Sequence, residues 1–195
     1  MRKPRLGRQV CCALALFACV AYSGSNTRLT AQKQAPADKP WRELVSSEGH
    51  FRVLLPDTPS EVFMPISGQF VNMEARVYAV KSSVAFYAVV FGEFPNESPD
   101  AEAIRAAFDN GRDRAIIEGK LILISEKDIS STKTPAREYI LEDGAFVFRT
   151  RVYFTRGRIY QTIFGGPGLN GMSSGMVQYY DGLAAKFLNS FKIGA

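Results

Sequence analysis

Cysteine is missing from this chain after residue 19. Cys11, Cys12 and Cys19 are the only three. A product cut beyond them has no thiol, so it can form no disulfide, hold no metal through sulfur and use no cysteine nucleophile. Histidine is almost absent too. The single His50 excludes a multi-histidine metal site, and neither a metal nor a cofactor is expected. No apolar run is long enough for a permanent membrane span: Val10 to Ala21 is about a dozen residues against the ~20 that a bilayer requires. Excess charge also vanishes on inspection. The chain totals +5, with 24 Lys and Arg against 19 Asp and Glu. Setting aside Arg2, Lys3, Arg5 and Arg8 leaves 20 cations against those 19 acids. A nearly neutral remainder exerts no general pull on polyanions, so no nucleic-acid partner is expected.

What the first residues do contain is the charged-then-apolar order of an export signal. MRKPRLGRQ carries four cations and no acid, and the Val10–Ala21 run follows it. Ala21-Tyr22-Ser23 supplies small residues at the cleavage positions, which puts residues 1–23 in a signal peptide cut after Ser23. An alternative processing route is lipidation of Cys19, since Leu16-Phe17-Ala18-Cys19 is similar to a lipobox, although Phe17 occupies a position that usually holds a smaller residue. Membrane association is expected only in that lipidated form. Residues 24–40 have one large aliphatic residue, Leu29, with Pro36 and Pro40, too little to form a core, and read as a disordered linker. Residues 41–195 are left as one domain of ordinary size. The product is expected in the periplasm or outside the cell.

Strand-like stretches begin at Trp41. Trp41–Ser47 and His50–Pro56 flank Glu48-Gly49, and Phe70–Lys81 alternates Val71, Met73, Ala75, Val77 and Ala79 with more polar residues. Val84–Phe91 is apolar almost throughout, as in a central strand. A helix is expected after Ser98 as N-cap and Pro99 as first helical residue, ending at Gly119, with Ala101, Ile104, Phe108 and Ala115 on its buried stripe. Strands follow at Lys120–Lys127, Pro135–Leu141, Ala145–Thr155 and Arg158–Phe164. The turns Glu142-Asp143-Gly144 and Arg156-Gly157 make the last three an antiparallel meander. A closing helix from Ser174 to Phe191 would bury Met176, Tyr180, Leu183, Phe187 and Phe191. The expected fold class is α+β, a largely antiparallel sheet covered by helices.

With these elements assigned, WRELVSSEGHFRVLLPDTP, TPAREYILEDGAFVFRTRVYFTRGRIYQTIF and the terminal FLNSFKI together resemble a secreted bacterial domain of the PsbP/Mog-type α/β/α sandwich group. The resemblance runs from Trp41 to Ile193. It implies that fold and tilts the reading towards an accessory or binding module, while no functional residue of PsbP or Mog proteins matches a position here.

Candidate chemistry is sparse. Gly166-Pro167-Gly168-Leu169-Asn170-Gly171 spells G-x-G-x-x-G, but no parallel strand is expected after the next helix to complete a dinucleotide fold, and Met172 and Ser173 replace the Lys and Ser or Thr of a P-loop. Glu142 and Asp143 are a paired-carboxylate candidate that a hairpin turn already explains. Arg149 and Arg151 share a strand face by alternation, and Arg137 and Tyr153 have matching parity on nearby segments, which makes these four the candidate anion clamp. Glu74 and Glu138 are available to neutralise them instead. The leading reading is a noncatalytic, exported accessory or binding domain with an unidentified ligand, and an envelope protein is its candidate partner. The rival is a secreted hydrolase joining Ser46, Ser47, Ser173 or Ser174 to His50 and an acid.

Overall fold

Alternation along β4 (Asn72–Lys81) and β5 (Phe86–Glu93) does not divide core from solvent, because both faces of these strands are covered. On β5, Ala88 and Val90 lie in one hydrophobic cluster, and Tyr87, Val89 and Phe91 in another. Successive side chains on a strand point to opposite faces, so the two clusters lie on the two sides of the sheet. The computed structural model describes residues 40–67, 72–94 and 99–194. The expected signal peptide, the expected linker up to Lys39, Cys19 and the expected Ser98 cap lie outside the described residues.

The larger sheet has seven antiparallel strands in the order β3-β4-β5-β9-β8-β7-β6, adding β3 (Ser60–Ser67), β6 (Ile122–Asp128), β7 (Ala136–Glu142), β8 (Phe146–Thr155) and β9 (Arg158–Pro167). Helix α1 (Ala101–Gly119) covers one face through Ile104, Ala107 and Phe108. Helix α2 (Ser174–Ser190) covers the other through Tyr180, Ala184, Phe187 and Leu188, together with a small sheet of β1 (Arg42–Ser46), β2 (Phe51–Leu55) and β10 (Lys192–Ile193). The architecture is α+β, as expected. Among the described residues no helix is long and apolar enough to cross a membrane.

Several local expectations need correction. Helix α1 is capped by Asp100, whose carboxylate accepts from the Ala103 amide at 2.7 Å, and Pro99 precedes the helix instead of opening it. Its end is turned by Lys120, left-handed at φ 53°, and not by Gly119. Met176 is exposed, so the buried stripe of α2 runs through Tyr180, Ala184, Phe187 and Leu188, with Phe191 buried just past the helix. Strand β3 is not among the expected strands, and it contains Pro65. It is an edge strand, where a proline removes no ladder hydrogen bond that is needed, and its Val62, Met64 and Ile66 do alternate with Phe63 and Pro65. Gly166 and Pro167 extend β9 and pair with Val147 and Phe146, so the first two residues of the G-x-G-x-x-G stretch are strand.

Under α1, burial pushes the Tyr139 phenol well above its ordinary value, and the hydroxyl donates to the Phe108 carbonyl at 3.3 Å. Burial raises Tyr153, Tyr160 and Tyr180 as well. An acid whose folded value is raised keeps its contribution to stability below the ordinary tyrosine value of about 10 and loses it as pH climbs above that. The denaturant midpoint should therefore fall between about pH 9 and pH 11.5, and Tyr139→Phe should shrink that fall.

Candidate functional site

The four candidate clamp residues divide between two faces. Arg137 pairs across the ladder with Val152, on the α1 side, while Glu138 pairs with Arg151, Ile140 with Arg149 and Ala136 with Tyr153, on the α2 side. Directly paired residues of an antiparallel ladder share a face, so parity aligned Arg149, Arg151 and Tyr153 correctly but misplaced Arg137. Each guanidinium is also already occupied. Arg137 Nη1 lies 2.5 Å from Asp109 Oδ1 and 2.7 Å from Glu126 Oε1. Glu126 in turn holds Arg112 Nη1 at 2.6 Å, tying α1 to β6 and β7. Arg149 pairs with Asp181 of α2. Arg151 Nε donates to Glu138 at 2.5 Å and its Nη1 to Asn189 at 2.9 Å. Tyr153 packs its ring on Phe191 with centroids 5.4 Å apart. These contacts fasten helices to sheet and leave no guanidinium fork open. A double-mutant cycle on Arg149→Gln and Asp181→Asn should give a coupling of about 0.2–1 kcal/mol, because both side chains retain access to water.

Among the described residues no hydrogen bond joins Ser46, Ser47, Ser173 or Ser174 to His50. Ser46 is buried and its Oγ accepts from the Gly49 amide at 2.9 Å. Ser173 caps α2, its Oγ accepting from the Met176 amide, and Ser174 is the first residue of that helix. The Asp143 carboxylate accepts from the amides of Ala145 and Phe146, at 3.0 and 2.7 Å, which is the turn role expected of it. Among the described residues no group of three or more His, Cys, Asp and Glu could hold a metal ion.

The space that could take a ligand is elsewhere. An open cleft of about 1030 Å³ lies where the β1–β2 turn crosses the end of the large sheet. Its sheet side follows from register: Phe63 pairs with Arg76, Arg76 with Phe91, and Phe91 with Tyr160, so one cross-strand row carries three aromatic rings and a cation on one face. The Arg76 guanidinium lies over the Phe63 ring, 4.4 Å from its centroid, and pairs with Glu48 and with Glu61, the latter at 3.0 Å. Arg158 donates to the Glu48 carbonyl at 2.7 Å and to the Glu93 carboxylate at 3.0 Å. Glu48 thus clamps the small sheet to the large one through both its carboxylate and its backbone, while the His50 carbonyl accepts from Gly194 at 2.7 Å.

Two cleft residues stand out by backbone. His50 and Arg156 adopt φ of 50° and 51°, and they are two of the three non-glycine residues with positive φ among the described residues. That conformation costs about 1–2 kcal/mol for a residue with a Cβ. Arg156-Gly157 forms the two-residue β8–β9 turn, with Gly157 at φ 70°. Asparagine, aspartate or glycine is the favoured first residue of such a turn. Neither the His50 nor the Arg156 side chain forms a hydrogen bond or ion pair among the described residues, and Glu74 on β4 is likewise unpaired. The described lining contains no serine, threonine or cysteine. Sequence reasoning missed this site because its walls come from five strands and two turns. The one local signal was an arginine where the hairpin turn favours asparagine.

A second, much smaller cavity of about 30 Å³ lies between α1 and the sheet, against Phe108, Tyr139 and Val152. It has room for about one or two waters. The chain matches no protein-family model, and no curated protein matches its sequence.

Proposed function

We propose that this chain is an exported, noncatalytic accessory or binding domain of the cell envelope or extracellular space, built on a PsbP/Mog-type sandwich. The observation that carries the reading is the open cleft of about 1030 Å³, lined by arginine, glutamate and aromatic side chains but by no described serine, threonine or cysteine. Such a surface can hold a polar ligand, and its described lining carries no serine, threonine or cysteine to start a serine-type hydrolysis. Helices on opposite faces of an antiparallel sheet fit the sandwich that the sequence resembles. The basic-then-apolar N-terminus supports export.

Two measurements test this. Intact-mass analysis of the exported product should show the loss of about 2 kDa of signal peptide. A diacylglyceryl increment with Cys19 at the N-terminus would replace the free form by a lipid-anchored one, and an uncut N-terminus would refute export. Hydrolysis of p-nitrophenyl acetate should stay at the buffer rate. Turnover abolished by Ser46→Ala or Ser173→Ala would establish the hydrolase in place of the binding domain.

A further inference from the structure

We propose that the cleft binds a small ligand through an oxyanion, a carboxylate or a phosphate, with Arg156 as its main anchor and His50 as a second donor. The assignment rests on the binding-domain reading and names the chemistry of its site. Every other arginine in the cleft is committed internally: Arg76 to Glu48 and Glu61, Arg158 to Glu93 and the Glu48 carbonyl. Arg156 lines the same cleft and has no such partner among the described residues. A guanidinium offers five N–H donors in a planar fork that matches two oxygens of a carboxylate or phosphate.

Backbone geometry points the same way. The β8–β9 turn would form more readily with asparagine than with arginine at position 156, and the β1–β2 turn holds His50 in the same unfavourable region. Backbone strain of this kind gathers at ligand clamps. Here both strained residues carry basic side chains, and both line one cleft. The fixed pairs beside them also matter. Glu48 and Glu61 share Arg76, and Glu93 is held by Arg158, so none of these three acids is paired with Arg156. Glu74, the remaining unpaired lining acid, belongs to β4, two strands away from β9. The anion is therefore assigned to the end of the cleft at the β8–β9 turn.

The test uses the purified exported protein, isotope-labelled, titrated with inorganic phosphate and with citrate against chloride at matched ionic strength. Saturable shifts of the Arg156 Nε–H and His50 ring signals are expected with phosphate, with citrate or with both, and none with chloride. Which of the two acts distinguishes a phosphate from a carboxylate site. Arg156→Asn should weaken binding by about ten- to a hundredfold, the loss expected for hydrogen bonds to a charged group. It should leave the melting temperature unchanged or raise it, because asparagine suits the turn. Arg156→Lys, which keeps the charge and loses the fork, should fall between the two. Arg105→Gln, which removes an exposed cation from α1, should bind as the parent does. The proposal is overturned if neither anion gives a saturable shift, if Arg156→Asn binds as tightly as the parent, or if Arg105→Gln weakens binding equally. The ester assay reads the noncatalytic assignment by an independent signal, so a missing anion response removes the anion site alone.

Discussion

Replacing Phe51 with alanine should destabilise the protein by about 3–5 kcal/mol, measured as a shift of the urea midpoint at constant slope. Phe51 is 0% exposed. It lies on β2 of the small sheet, yet its ring meets Tyr78, Phe91 and Tyr160 of the large sheet and Phe191 after α2, with centroids between 5.4 and 6.4 Å. Truncation would remove a side chain from a junction of three elements. The backbone there cannot close around the cavity, because β2 is held on one side by β1 and on the other by β10. The loss is a large part of the roughly 5–15 kcal/mol that holds an ordinary domain together. Val45→Ala on the neighbouring strand is the control. Val45 is 58% exposed, and its truncation should change stability by less than about 0.5 kcal/mol.

Adding one methyl group at Gly168 should cost about 1–3 kcal/mol. A Cβ there would lie 2.6 Å from the Gly144 carbonyl oxygen and 3.3 Å from the Ala145 carbonyl carbon. Both are backbone atoms of the β7–β8 turn, and no side chain can rotate away to make room. The Gly168 amide also donates to the Ala145 carbonyl at 2.7 Å, so relieving the clash would stretch the bond that closes this end of the sheet. Gly182, inside α2, makes the opposite case, since nothing lies within 4 Å of a Cβ built on it. Gly182→Ala should stabilise the protein by about 0.4–1 kcal/mol through reduced freedom of the unfolded chain. Thermal melts of the two variants should move in opposite directions. If Gly168→Ala melts with the parent, the close approach of the two backbones is not a constraint on folding.

Most strands and both helices are legible in the sequence, because their signals are local. Asp143-Gly144 and Arg156-Gly157 mark hairpins by turn chemistry, and the apolar stripe of α2 repeats at helical spacing within one segment. Strand β3 is absent from the expected strands; it contains Pro65, and a proline is compatible with a strand at a sheet edge but not inside one, which is a property of the whole sheet. Exposure of Met176 depends in the same way on how α2 is rotated against its neighbours.

The candidate site divides along the same line. Residue types and strand parity identified Arg149 and Arg151 as neighbours on one face, since side-chain direction along a strand is fixed by its period of two. Parity within separate strands cannot say how they are aligned, and only the register between β7 and β8 sent Arg137 to the opposite face. Whether a cation is spent or free is decided later still. Asp181 reaches Arg149 from α2, 32 residues along the chain, and Glu48 reaches Arg76 from another sheet, whereas Arg156 has no ion pair among the described residues. The sequence by itself determined the turn in which Arg156 sits, because two-residue hairpin loops obey short-range backbone rules. Tertiary structure alone brought that turn to the same cleft as His50 and left its guanidinium without an ion pair among the described residues, because ion pairing follows distances between chain segments that local sequence does not encode.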